Sequence, residues 1–281
     1  MLKVGLSILT NGKRLDNLQT CVSSFLTNCY FRPLVVAVFD NGSKDDTFSW
    51  LQERKANPGY AIGWRIERSE RDVGCAAGVN RVSRMVDDCD YVVHVESDFR
   101  HLPFSITGVD GYWLHRALDF MQDEDCDYLY LRRMMTERDI AQHWWAQWFA
   151  RVTRIEGDYI DCPSFWWSNN PHLRLNRAIW DAGCLPLDES IDGPKGSVGW
   201  SKPELSAPKP SRPWIHKWGL FVHEAPSDEE LLSVKGCPLP GGCKYGFFLP
   251  GPAGNMFCQC CNLDDDFTDM QEHYDKFRRM F

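Results

Sequence analysis

The sequence predicts an α/β domain, a mostly parallel sheet with helices on both faces, followed by a Cys-rich C-terminal tail. Three observations predict it. Apolar runs of strand length alternate with segments of helical periodicity through the first hundred residues. One of these runs, "PLVVAVF", is continuously apolar, as strands buried in a parallel sheet are. Acidic residues, Asp40 and the Glu96/Asp98 pair, stand where two of the runs end, and open α/β sheets bind their ligands beyond the C-terminal strand ends.

In order along the chain, "LKVGLSIL" (2–9) reads as the first strand. From Leu15, the apolar positions Leu18, Cys21, Val22, Phe25 and Leu26 fall at helical spacing. "PLVVAVF" (33–39) is the second strand. "SKDD" (43–46) has the form of a capping box, and a helix carrying Phe48 and Leu51 follows. "GWRIER" (63–68) is a short strand, Ala76, Val79, Val82 and Val86 mark a helix, and "YVVHV" (91–95) is the next strand. Residues 112–122 read as helix and "DYLYLRR" (127–133) as strand. Two aromatic runs follow, "HWWAQWF" (143–149) and "SFWWSNNPHL" (164–173). Pro, Gly, Ser and Asp dominate 185–214, which predicts a long loop. "WGLFVHE" (218–224) is a late strand, and the Cys/Gly/Pro tail (236–262) precedes a short charged helix. This divides the chain into a half at 1–103, a second half of the same domain at 104–235, and an appendage at 236–281.

Composition narrows the function classes. The 281 residues are 43% hydrophobic and 25% charged, enough to bury a sizeable core. A net charge of −8, from 31 basic and 39 acidic side chains, argues against a broad phosphate-binding face. "LRRMMTER" (131–138) is a local basic patch that keeps a nucleic-acid contact open. The start "MLKVGLSILT" lacks the three-part pattern of a signal peptide. No stretch reaches the roughly 18 apolar residues of a membrane span, so the expectation is a cytoplasmic protein. Of the 12 cysteines, seven are scattered up to Cys184 and read as buried thiols. Five cluster late: Cys237, Cys243, Cys258, Cys260 and Cys261. Their thiolates suit a structural zinc ion in a tail with little apolar content, but the C-x5-C and C-x-C-C spacings differ from paired C-x2-C ligands. Free thiols and redox disulfides are the alternatives.

Three motifs carry chemistry. "VFDNGSKDDT" (38–47) delivers Asp40 to the sheet rim, where a carboxylate accepts from a base N–H or a ribose hydroxyl; the plainer reading is a βα turn with Asx chemistry. "RDVGCAAGVNR" (71–81) opens a helix with small residues, which lets backbone approach a bulky anionic ligand. Its plainer reading is tight packing of helix on sheet. "HVESDF" (94–99) puts two carboxylates at a strand end. It is either a solvated turn or a site for a hard divalent cation, which takes one or two carboxylates plus phosphate oxygens.

In this order, the three motifs and the opening "LSILTNGKRLDNLQTCVSSFL" resemble the N-terminal half of a GT-A glycosyltransferase, most like glycosyltransferase family 2, over roughly residues 3–103. "VFDNGSKDDT" is similar to the family's Asp-Asp/Asn-Gly-Ser-x-Asp-x-Thr element, "RDVGCAAGVN" to its Asn-x-Gly-x-Ala-x-x-x-Asn element, and "ESD" stands at its Asp-x-Asp. Glu96 and Asp72 depart from the usual Asp and Asn.

The resemblance implies an inverting, metal-dependent transfer of a sugar from a nucleotide-diphosphate sugar, UDP-sugar first, to an acceptor hydroxyl. It implies a donor site lined by Thr10, Asn11, Asp40, Asn41, Arg71, Gly74, Asn80 and Glu96, with Mn2+ or Mg2+ on Asp98. A late-strand His completes the metal site in many relatives; His223 is the match and His216 the rival. An inverting enzyme needs a carboxylate base, for which Glu189 leads and Asp188 and Asp192 follow, with Glu204 also in the stretch. Trp166, Trp167, Asn169 and Asn170 would meet the acceptor, by stacking and hydrogen bonding. That acceptor is a glycan, lipid, protein or modified nucleobase. Two other functions remain open: a nucleotide-sugar-binding module without catalysis, because no clean Glu-Asp pair is present, and sugar-phosphate nucleotidyl transfer, which the single Gly in "LTNGKRLDN" disfavours.

Overall fold

The computed structural model describes residues 2–11, 15–32, 34–59, 63–133, 154–161, 171–177, 212–216, 219–223, 248–250 and 256–258. The first part alternates strand and helix: β1 (Val4–Thr10), α1 (Leu15–Asn28), β2 (Leu34–Asn41), α2 (Thr47–Ala56), β3 (Gly63–Ser69), α3 (Cys75–Arg84) and β4 (Tyr91–Glu96). Next come β5 (Phe99–His101), α4 (Phe104–Thr107), α5 (Trp113–Asp123), β6 (Tyr128–Tyr130) and β7 (Arg132–Arg133). The remaining described strands are β8 (Arg154–Glu156), β9 (Tyr159–Asp161), β10 (His172–Leu175), β11 (Pro213–His216), β12 (Phe221–His223), β13 (Phe248–Pro250) and β14 (Met256–Cys258).

The main sheet has the order β3-β2-β1-β4-β10-β6-β11-β9-β8. β3, β2, β1 and β4 are mutually parallel, and β10 runs antiparallel between β4 and β6. The chain winds outward from β1 through β2 to β3, then crosses to β4 on the other side of β1. The carboxyl ends of β1 and β4 therefore flank a topological switch point. A second sheet, β5-β12-β7, starts two residues after β4 ends.

Alternation within the strands builds the two layers. Val4, Leu6 and Ile8 of β1, Val36 and Val38 of β2, and Val93 and Val95 of β4 join one apolar cluster. Leu18, Cys21, Val22 and Phe25 of α1, spaced as one helical face, pack into it with Trp113, Leu114, Ala117 and Leu118 of α5. The opposite strand face carries Phe39 and Ser7, and α3 covers it, with Arg81 5.4 Å over the Phe39 ring. This second layer is polar at its centre. His94 Nδ1 lies 2.9 Å from Ser7 Oγ. Arg174 of β10 donates to Ser83 Oγ of α3 at 3.0 Å. Asn176 Nδ2 donates to the carbonyls of Val86 and Cys89 at 2.8 and 2.9 Å. These bonds satisfy buried groups and lock β10 to the turn between α3 and β4. At the far side of the sheet, Phe120 of α5 stacks on Tyr159 of β9 at 3.9 Å and meets Trp214 of β11 edge-on.

Several expectations are refined. β11 begins at Pro213, inside the stretch read as loop, because Trp214 is buried against α5. The strand expected over 127–133 is two short strands in different sheets. The basic patch "LRRMMTER" is not an exposed cluster at Arg132, which is 2% exposed with its guanidinium 5.2 Å from the Phe99 ring centroid. Four scattered cysteines, Cys21, Cys29, Cys89 and Cys126, are buried free thiols, and Cys75 is half-buried. Burial pushes the thiols of Cys29 and Cys89 up to about 11. No described helix is long and apolar enough to cross a membrane.

His101 of β5 is enclosed by the rings of Phe25, Trp113 and Phe221. Burial pushes its pKa down from 6.5 to about 3, and burial lowers that of His216 to about 4. Both are neutral in the fold, so below pH 6.5 the unfolded chain binds protons that the native state refuses. Stability is fully present above that pH and is lost as pH falls toward the folded values. Each such histidine contributes a slope of up to about 1.4 kcal/mol per pH unit. In His101→Phe, the fall in denaturation midpoint between about pH 6 and pH 5 becomes shallower by one proton. An identical slope in variant and parent contradicts the assignment.

Candidate functional site

The register of the four parallel strands brings the expected donor residues to one rim. Thr10 pairs with Asp40, Asp40 with Arg68, Asn41 with Ser69, and Leu9 with Glu96. Thr10, Asp40, Asn41 and Glu96, separated by up to 86 residues in sequence, thus line the carboxyl ends of β1, β2 and β4 at the switch point.

Asp40 is completely buried. Its Oδ1 accepts from the Ser43 backbone N–H at 2.9 Å and from the Ser43 hydroxyl. Its Oδ2 accepts no hydrogen bond and lies 3.5 Å from Arg68 Nε. Arg68 is itself held by donating to the Ser43 carbonyl at 2.8 Å and lies over the Phe48 ring. Oδ1 is therefore committed to the turn, while Oδ2 faces Arg68.

Asn41 spans the gap to the α3 turn. Its Nδ2 donates to Asp72 Oδ1 at 2.7 Å and to the Gly74 carbonyl at 3.3 Å, while its Oδ1 accepts from Val73 N–H at 2.8 Å. Asp72 Oδ1 also accepts from Gly74 N–H at 2.8 Å. The turn uses an oxygen acceptor at position 72, which Asp and Asn both offer. The side chain of Asn41 is thus committed to shaping the turn. Gly74, at φ +82, directs the chain into the N-terminus of α3, whose first N–H groups have no side-chain cap. Arg71 is exposed beside this turn, and Asn80 is buried on α3.

Gly42 makes the close approach possible. It has φ +80, and a Cβ there would sit 2.5 Å from the backbone of Arg71 and Asp72. Gly42→Ala combines a left-handed alanine with a backbone collision. We expect a loss of at least about 2 kcal/mol in denaturant unfolding, together with weaker binding of UDP, because the Asn41 clamp and the 71–74 turn move apart. A midpoint unchanged from the parent contradicts this reading.

The acid triplet occupies the end of β4. Glu96 and Asp98 are half-buried, and Ser97 N–H donates to the Leu9 carbonyl at 3.0 Å, which ties the turn to β1. The Cys21 thiol of α1 lies 3.8 Å from the Glu96 carbonyl; burial first, and then the Asp98 charge, pushes its pKa up. β5 begins at Phe99, directly after Asp98. β12 pairs with it antiparallel, with His223 opposite Phe99. His223 is therefore one register step from Asp98 across 125 residues of sequence. The rival His216 lies instead in the main sheet, opposite Tyr159, with its ring edge-on to that tyrosine at 5.4 Å. Among the described residues no group of three or more His, Cys, Asp or Glu forms a ready metal cage. Oxygen donors at a strand end beside a backbone that carries His223 fit a hard divalent cation that takes its remaining ligands from a diphosphate.

Asn11 is exposed just past β1. The base candidates Glu189, Asp188 and Asp192, the acceptor candidates Trp166, Trp167, Asn169 and Asn170, and Cys237, Cys243, Cys260 and Cys261 lie outside the described residues. Cys258 is at the end of β14, opposite Phe248. The sequence reading missed Ser43 and Arg68, which hold Asp40. Ser43 was visible in "DNGS", and Arg68 as a charge at the rim end of a strand.

No curated protein sequence matches the chain significantly. Among solved structures, S. aureus TarS residues 1–349 in complex with UDP-GlcNAc is similar, with a TM-score of 0.51 and 14% identity, over 83% of this chain and 61% of that one. The mannosyltransferase PcManGT from Pyrobaculum calidifontis, in complex with GDP-Man and Mn2+, has a TM-score of 0.50 and 14% identity, over 80% of this chain and 57% of that one. GalNAc-T7 with UDP, GalNAc and Mn2+ has a TM-score of 0.50 and 9% identity, over 79% of this chain and 44% of that one. At such identities the likeness shows the fold, which is GT-A, and the chain spans about three fifths of the length of TarS 1–349. The family model for glycosyl transferase family 2 matches residues 8–181, more than half of the sequence, and includes β2, the α3 turn and the acid triplet, so the chain belongs to glycosyl transferase family 2.

Proposed function

We propose that this chain transfers a sugar from a nucleotide-diphosphate sugar to an acceptor hydroxyl with inversion at the anomeric carbon. The observation that carries the reading is the register that sets Asp40 on one side of β1 and Glu96 on the other, with the N-terminus of α3 joined to the end of β2 through Asn41. The base sits at Asp40, and the diphosphate lies toward Asp98. A divalent cation, Mn2+ or Mg2+, bound through Asp98 and His223 would neutralise the charge that builds on the leaving diphosphate. The acceptor oxygen attacks from the face opposite that diphosphate while a carboxylate removes its proton, the base being Glu189 ahead of Asp188 and Asp192. Trp166, Trp167, Asn169 and Asn170 are proposed to meet the acceptor.

The chemistry of Asp40 favours uracil or thymine over guanine. A carboxylate reads guanine with both oxygens, one for each of two adjacent N–H donors, whereas an imide N–H needs one. Oδ1 is already taken by Ser43, and Oδ2 has Arg68 beside it. UDP-sugars are therefore the first donors to test, ahead of GDP-sugars. In a thermal-shift series with UDP-, dTDP- and GDP-sugars plus MnCl2, the UDP and dTDP donors raise the melting temperature and the GDP donors do not. At a hundredfold excess over Kd the stabilisation is about 2.7 kcal/mol. A shift with GDP-sugars alone contradicts the base assignment.

A further inference from the structure

The small sheet β5-β12-β7 connects the two candidate metal ligands, and its central joint is Phe99. This residue follows Asp98 in the chain and stands opposite His223 in the ladder. Its side chain is 1% exposed. β7 lies on the other side of β12, with Arg132 opposite Phe221, and from there the Arg132 guanidinium reaches to 5.2 Å from the centroid of the Phe99 ring. Arg132 is 2% exposed. A guanidinium is not buried to that degree for solubility, and against an aromatic face it gains a directional attraction that strengthens as water is excluded. β5 and β7 thus meet at one ring across β12, and the backbone of that residue follows Asp98 in the chain and pairs with His223 in the ladder.

We propose that Arg132 is a positioning residue for the metal site. Its contact with Phe99 pins the β5-β12 pairing and so holds Asp98 and His223 at the spacing one cation requires. This rests on the donor-site reading above. Residues that orient metal ligands from behind change metal affinity by roughly 10- to 100-fold when removed.

The test measures Mn2+ binding by electron paramagnetic resonance, with MnCl2 titrated into the full chain in the presence of UDP. Parent protein, Asp98→Ala, Arg132→Met, Arg132→Lys, Phe99→Leu and the Arg132→Met/Phe99→Leu double variant are compared, each with a thermal melt to confirm folding. Arg132→Met is expected to weaken Mn2+ binding about 10-fold. Lysine, which keeps a cation over the ring, recovers most of that loss. The double variant is no weaker than the worse single variant, because both remove one contact. The proposal is overturned if folded Arg132→Met binds Mn2+ as the parent does, if lysine recovers nothing, or if the two losses add. A lower melting temperature with unchanged Mn2+ affinity likewise assigns Arg132 to stability alone and overturns it. Failure of the underlying reading is distinguishable: the parent then binds no Mn2+ with UDP, or Asp98→Ala binds it equally well, and the inference falls with the reading.

Discussion

Asp98→Ala is expected to lower sugar transfer by at least about 10³-fold at saturating donor and Mn2+, equivalent to roughly 4 kcal/mol of transition-state stabilisation. On the proposed reading, the leaving diphosphate gains charge as its bond to the sugar breaks, and Asp98 would hold the cation that offsets that charge. Asp98 is half-buried in a two-residue turn between β4 and β5, whose backbone is tied to β1 by the Ser97-to-Leu9 hydrogen bond. That bond does not involve the Asp98 side chain, and a thermal melt of the variant checks that it folds. Initial rates with a UDP-sugar and MnCl2 measure the effect, and turnover kept in the variant with chelator present contradicts the role given to Asp98.

Asp40→Asn carries the second large effect, and its logic is geometric. The Asn Oδ1 replaces the carboxylate oxygen that accepts from the backbone and hydroxyl of Ser43. That orientation turns the Asn NH2 toward Arg68 and toward the proposed place of the base, presenting a donor to two donors. The loss of a charge-assisted hydrogen bond and the new repulsion weaken UDP binding by roughly 100-fold, about 3 kcal/mol. Stability changes less, because the Ser43 donors stay satisfied. Asp40→Ala weakens UDP binding too, but leaves the buried Ser43 N–H without an acceptor and costs roughly 1–3 kcal/mol of stability. Calorimetric titration with UDP and MnCl2 checks both variants; unchanged affinity in Asp40→Asn removes Asp40 from the base site.

The parts of the molecule legible in the sequence are those encoded by short-range pattern. Leu18, Cys21, Val22 and Phe25 mark the buried face of α1 by spacing alone, and "PLVVAVF" marks β2 because it is buried on both faces. The turn chemistry around Asp40 was legible for the same reason, since Ser43 is three residues away. Pairings between distant segments leave no such trace. Nothing local in "HLRL" announces that β10 inserts antiparallel between β4 and β6. Nothing in "LRR" distinguishes Arg132, buried over Phe99, from a surface arginine. Asn41 illustrates a middle case. The motif puts it among the expected donor residues, and the structure shows it ending β2 with its amide committed to Asp72, Val73 and Gly74, so that its influence on a donor would pass through the turn it shapes.

On the proposed reading, one rim of the sheet holds a nucleotide diphosphate between Asp40 and Asp98. Crystals grown with UDP and MnCl2, measured at a wavelength where manganese scatters anomalously, test it most directly. The account predicts one anomalous peak at bonding distance from the Asp98 carboxylate, about 2.0–2.6 Å, with the uracil ring against Asp40 Oδ2 and the diphosphate near the N-terminus of α3. A manganese peak away from Asp98, or UDP bound with its base outside the Asp40 pocket, would contradict it.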